Sequence, residues 1–176
     1  MNLFRARGFK HTSFADLVDE LGIGRQSLYD TFGDKQTLYQ AALQRYTRRL
    51  LDHVRDVLAA PGTVREVFQR LLEDVIADNT AGAAPGCFMV NSIIELMPHD
   101  ADTRAAAQSY AREIEGLLIA RLVAAQRAGE LSRKQDPVAL ARYFYHTLLG
   151  IAVAARALGD KAALRQTAAL ALKGLG

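Results

Sequence analysis

The sequence predicts an all-α fold, in which an N-terminal helix-turn-helix unit is joined by one long helix to a larger helical bundle. Three observations predict it. Half of the 176 residues are hydrophobic while only four are proline. Apolar residues recur at helical spacing in segment after segment. The period-two runs of β-branched and aromatic residues that mark half-buried strands are absent. A chain of this length buries enough apolar surface for one or two small domains.

Met1 to Arg7 reads as the last two turns of a helix. The stretch Thr12 to Lys35, TSFADLVDELGIGRQSLYDTFGDK, then holds two short helices. Ser13 with Asp16 fits a capping box, Asp replacing the usual Glu at the third helical position. Phe14, Leu17, Val18 and Leu21 make one apolar face. Gly22-Ile23-Gly24 ends that helix, because glycine accepts the left-handed backbone of a sharp reversal. Arg25 to Phe32 forms the second helix, with Leu28 and Phe32 inward and Arg25, Gln26, Ser27, Tyr29 and Thr31 outward. Asp34 caps a third helix from Lys35. Helix, short turn and helix with a polar outer face is the layout whose second helix enters the DNA major groove.

From Lys35, the spacing of Leu38, Ala42, Tyr46, Leu50, Val54 and Val57-Leu58 describes one long helix stopped by Pro61-Gly62. The domain boundary falls inside it near Tyr46, giving domains 1–46 and 47–176. Thr63 to Glu66 is a second capping box, opening a helix through Ile76 whose apolar side is Val67, Phe68, Leu71, Leu72 and Val75. Asn79 to Gly86 reads as a flexible small-residue loop. Cys87 to Leu96, CFMVNSIIEL, is apolar nearly all round and predicts a buried helix. Asp102 or Thr103 starts a long helix to about Ala128, stopped by Gly129. Asp136-Pro137 opens another to about Leu158, and Asp160 caps a last helix ending near Leu175.

No apolar run approaches the roughly 20 residues that span a bilayer, and MNLFRARGF lacks the apolar core of a signal peptide. A cytoplasmic protein without a membrane partner is expected. The single cysteine excludes an intramolecular disulfide. Residues 1–50 hold eight Lys and Arg against five Asp and Glu, whereas residues 51–176 hold 14 of each. The whole positive excess therefore lies with the helix-turn-helix, where phosphate attraction favours it.

Gly22, Leu28-Tyr29, Phe32, Lys35 and Leu38, following the capped Thr12-Ser13 helix, resemble the DNA-binding domain of tetracycline-repressor (TetR) family regulators. Leu3-Phe4 and Gly8-Phe9 match the end of that family's first helix and the loop after it. The resemblance covers about the first quarter of the chain, and it implies a longer first helix than Met1 to Arg7 supplies. At the exposed start of the recognition helix, Arg25 suits guanine, Gln26 suits adenine, and Ser27 suits a base or a phosphate. By resemblance, Tyr29, Thr31 and Lys35 meet the phosphate backbone, as do Thr12 and Ser13 at the start of the second helix. Asp30 is expected to point away or to pair with Arg25 or Lys35.

The resemblance also implies a body that holds a small-molecule ligand and forms a two-fold dimer matched to a palindromic operator. Candidate pocket residues are Phe68, Leu72, Phe88, Met89, Asn91, Ile94, Tyr110, Leu117, Phe144 and His146, an apolar wall with a few polar groups. Apolar stripes of Tyr143, Leu148, Ile151 and Ala155, and of Leu164, Ala168, Ala171 and Leu172, are candidates for the dimer interface. Cys87, between apolar neighbours and far in sequence from any Lys or Arg, reads as a small buried hydrophobe. The four histidines have no metal-ligand spacing, and no cofactor or catalytic motif is present. An enzyme would need Cys87 and His146 to meet as nucleophile and base; a helical protein-binding adaptor is a further alternative. A ligand-responsive transcriptional repressor, sensing an apolar or amphipathic molecule without covalent chemistry, is the expected function.

Overall fold

A computed structural model of the chain describes residues 1–81 and 86–176. Among them are nine α-helices: α1 (Asn2–Arg7), α2 (Phe14–Leu21), α3 (Arg25–Phe32), α4 (Lys35–Ala59), α5 (Val64–Thr80), α6 (Phe88–Glu95), α7 (Ala101–Ala128), α8 (Pro137–Leu158) and α9 (Lys161–Leu172). A single 3-10 turn, Lys173–Leu175, follows. Both expected capping boxes form: Ser13 and Asp16 bond each other's backbone N–H, and so do Thr63 and Glu66. Asp34, Asp136 and Asp160 cap α4, α8 and α9 with their carboxylates. Gly22 takes a left-handed φ of 64° to close α2, a conformation that a side chain would disfavour.

The body is a bundle in which α5 lies against α8 and α9, and α7 against α4 and α8. Phe68 and Phe144 meet edge to face at 4.5 Å in its middle. The small N-terminal unit is fastened to it through α4 and α6.

Several local expectations change. Leu21 is 48% exposed, so the apolar face of α2 ends one turn earlier. The helix opened by Thr63 runs on to Thr80, because Asn79 and Thr80 send their side chains back to the Val75 and Ile76 carbonyls and prolong it. The expected loop thus begins later, and its residues 82–85 lie outside the described residues. Asp100, rather than Asp102 or Thr103, starts α7, its carboxylate accepting the Thr103 N–H. Helix α6 is not buried all round, since Ile94 is 68% exposed. Finally, α8 is long and apolar enough by length and composition to cross a membrane, contrary to expectation. In this fold its Ala141, Phe144, Tyr145, Ile151, Ala152 and Ala155 are buried within the bundle.

Candidate nucleic-acid interface and inner cavity

Helix α3 buries Leu28 completely and leaves Arg25, Gln26, Ser27, Tyr29, Asp30 and Thr31 exposed. The rings of Phe14 and Tyr29 stack at 4.2 Å, and the Arg25 guanidinium lies 5.9 and 5.7 Å from their centroids. Stacking of this kind braces a guanidinium while leaving its donors available. Gln26 donates to Asp30 at 2.8 Å, one helical turn on, so Asp30 takes neither Arg25 nor Lys35. Thr31 donates its hydroxyl to the Ser27 carbonyl.

Two expected phosphate contacts are turned inward. The Lys35 ammonium donates to the Phe9 and Thr12 carbonyls at 2.9 Å each and sits 4.2 Å from the centre of the Phe9 ring. It pins the α1–α2 loop onto α4. Thr12 is fully buried, its hydroxyl donating to the Gly8 carbonyl at 2.6 Å, and only Ser13 stays exposed at the head of α2. Nor does the positive excess of residues 1–50 all face outward. Arg5 is spent on Gly86 and Asp78 of the body, and Arg7 pairs with Asp16.

Helix α6 bears on both halves. Its Glu95 accepts the Phe9 and Lys10 N–H groups at 2.9 and 2.8 Å, and its Asn91 donates to the Arg5 carbonyl. Ser92 gives its proton to the Phe88 carbonyl, so the Tyr39 hydroxyl is the donor in the 2.7 Å contact between them. Phe88 is fully buried among Phe4, Tyr39 and Tyr46. On the same N-terminal turns of α4, Gln36 and Gln40 donate to the Asp100 carboxylate. Sequence reasoning missed Glu95 as a tether; its signal was a lone carboxylate in an otherwise apolar segment.

Val90 of α6 and its cap residue Cys87 also line a half-open cavity of about 390 Å³ together with residues of α4, α5, α7 and α8. Tyr46, Asn79, Tyr110 and Tyr145 supply its buried polar groups, and Arg5, Arg49, His53, Asp74 and Asp78 also border it. Tyr46 donates to Cys87 Sγ at 3.4 Å. Burial pushes the Tyr46 and Tyr110 hydroxyls up from the ordinary phenol range and Tyr145 up to about 12, so all three are protonated donors at neutral pH.

Of the expected pocket residues, only Tyr110 lines this cavity. Phe68, Leu72, Met89 and Phe144 are fully buried core, and Phe88 is the hub between the two halves. Asn91 tethers Arg5, Leu117 is half-buried elsewhere on α7, and Ile94 and His146 are exposed. Cys87 and His146 therefore do not form a catalytic pair. Tyr46, Asn79 and Tyr145 carried a weak signal, being polar-tipped residues in phase with the apolar stripes of their helices.

Residues 1–42 match the family described as bacterial regulatory proteins, tetR family, and residues 64–171 match the tetracyclin repressor-like C-terminal domain. The chain belongs to the TetR family. It is 33% identical over 162 residues to the uncharacterized HTH-type transcriptional regulator YezE of Bacillus subtilis (strain 168), covering 91% of this chain and 84% of that one. It is 29% identical over 175 residues to the HTH-type transcriptional repressor ComR of Escherichia coli (strain K12), covering 98% and 83%. Among solved structures, a cysteine mutant of the TetR family regulator CifR, complexed with 26bp double-strand operator DNA, superposes with a TM-score of 0.88 at 27% identity, covering 99% of this chain and 92% of that one. The protein is a DNA-binding transcriptional regulator.

In this TetR regulator the stripes expected to join protomers are inside one. Ile151, Ala155, Leu164, Ala168, Ala171 and Leu172 are buried against the rest of the bundle, and Leu148 borders the cavity. Tyr143 alone of that set is well exposed, at 45%. Small apolar residues at helical spacing suit either role, and here α5 occupies the inner face of α8 and α9.

Proposed function

We propose that this TetR regulator is a ligand-responsive repressor acting as a homodimer on a palindromic operator in the cytoplasm, with residues 1–46 holding DNA and residues 47–176 holding ligand and partner. The observation that carries the reading is the double duty of α6. Cys87 and Val90 line the cavity, while Asn91, Ser92 and Glu95 of the same eight-residue helix or its cap hold α1, the loop after it and α4. A ligand that favours one position of α6 over another biases the position of the recognition helix, and only such a preference shifts the equilibrium. Tyr46, at the proposed domain boundary, borders the same cavity and so adds a second route along α4. The name of ComR and the operator DNA held by CifR support repression through duplex DNA. The assignment gives Cys87 no catalytic step.

Selection of random duplexes by the purified protein tests this reading. Enriched sequences should share an inverted repeat with half-sites about 34–36 Å apart or a multiple of that. Enrichment without an inverted repeat rejects the symmetric operator.

A further inference from the structure

The wall of the cavity is unfinished in a specific way. Tyr110 and Tyr145 are 8% and 7% exposed and line it, yet neither hydroxyl has a hydrogen-bond partner among the described residues. Two phenol hydroxyls that reach the same cavity space without an acceptor among the described residues are donors available to a molecule bound there. Asn79, only 4% exposed, adds to the polarity of that wall. Its amide donates to the Val75 carbonyl, and its own oxygen accepts nothing among the described residues. Tyr46 is different, because its proton is already given to Cys87.

We infer that this cavity takes a small uncharged molecule whose apolar frame carries a carbonyl or similar acceptor oxygen, held by the Tyr110 and Tyr145 hydroxyls. This rests on the ligand-responsive reading above and names the chemistry of its ligand. A carbonyl oxygen has two lone pairs and accepts two phenol donors at once. The apolar frame follows from the aliphatic side chains of α4, α5, α7 and α8 that make up the rest of the wall. At about 390 Å³ the space equals roughly a dozen waters, enough for a two-ring molecule.

The placement of charge around the cavity disfavours an anion. Arg5 is bonded to the Asp78 carboxylate and to two backbone carbonyls, and His53 is paired with Asp74 at 3.0 Å. Arg49, the remaining basic side chain on the border, is exposed to water, so the buried part of the wall offers a carboxylate ligand no unpaired cationic side chain, and desolvation of that ligand would oppose binding. The assignment needs no bond to Cys87.

Matched probes of one shape test the proposal: benzophenone, diphenylmethane, which lacks the carbonyl, and diphenylacetate, which is anionic. Titration calorimetry on the DNA-free protein should give benzophenone at least tenfold tighter binding than either of the others. In the Tyr110→Phe/Tyr145→Phe protein that preference should vanish while diphenylmethane binds as before, with operator affinity retained as evidence of folding. Equal binding of benzophenone and diphenylmethane to the unmodified protein overturns the proposal without recourse to any variant. So does tighter binding of diphenylacetate, no binding of any probe, or a carbonyl preference that survives the double substitution. Release of labelled operator is measured separately. Benzophenone that binds through the two tyrosines but leaves DNA in place supports the cavity chemistry and rejects the regulatory reading.

Discussion

Arg25 stands at the exposed start of α3 with its guanidinium braced by the Phe14 and Tyr29 rings, so less side-chain freedom is lost when it meets a base edge. Arg25→Ala should cost about 1–3 kcal/mol of discrimination at one operator position, read by competition among single-base operator variants. Equal losses on all sequences would make it a phosphate contact. Lys35 belongs to another category. Lys35→Ala should lower folding stability by on the order of 1–3 kcal/mol in urea titrations, through loss of its two bonds to carbonyls, and leave the salt dependence of DNA binding unchanged. The outward side chains of α3 were legible from helical period alone. The partners of Lys35 were not, because its acceptors are backbone carbonyls 23 and 26 residues earlier, which no side-chain pattern encodes.

Helix starts were legible for the same reason that makes them strong: a cap is written in four consecutive residues. Those caps also set the response to acid. Hydrogen bonds from Ser13, Thr37, Thr63 and Thr103 hold the carboxyls of Asp16, Asp34, Glu66 and Asp100 below their ordinary range. A carboxyl depressed in the folded state stabilises it above the unfolded pKa, near 4, and that contribution is lost as pH falls through the folded value. Thermal midpoints followed by circular dichroism should therefore drop below about pH 4, and Asp34→Asn should flatten the drop. The docking of α6 was illegible, since Glu95 reaches N–H groups 85 and 86 residues away. Glu95→Ala strands both donors and should weaken operator binding several-fold while α5, α8 and α9 keep their packing. Gly8→Ala should act at the same contact: a Cβ there would lie 2.5 Å from Glu95 Oε2, on a backbone with φ of +81°. Unchanged operator affinity in both variants would show that α6 does not position the N-terminal unit.

At the scale of the molecule, the homodimer proposed above needs a face that the protomer leaves open. The inner stripes of α8 and α9 are closed, but their outer sides are not. Tyr143, His146, Gly150, Val153 and Ala157 fall on one exposed face of α8, and Leu170 of α9 is 64% exposed. The outer face combines apolar and small residues, which allow two helices from each protomer to approach closely into a four-helix arrangement. The two faces make opposite predictions. Ile151→Glu places a charge inside the protomer and should unfold it. Val153→Glu and Leu170→Glu should leave helicity and thermal midpoint nearly intact while converting dimer to monomer by light scattering at micromolar concentration. Such a monomer keeps its α3 surface but loses the second, tethered half-site contact, so operator affinity should fall by about 10²–10⁴-fold and affinity for an isolated half-site should not change. A monomeric unmodified protein, or charged variants that remain dimeric, would remove α8 and α9 as the joint between protomers.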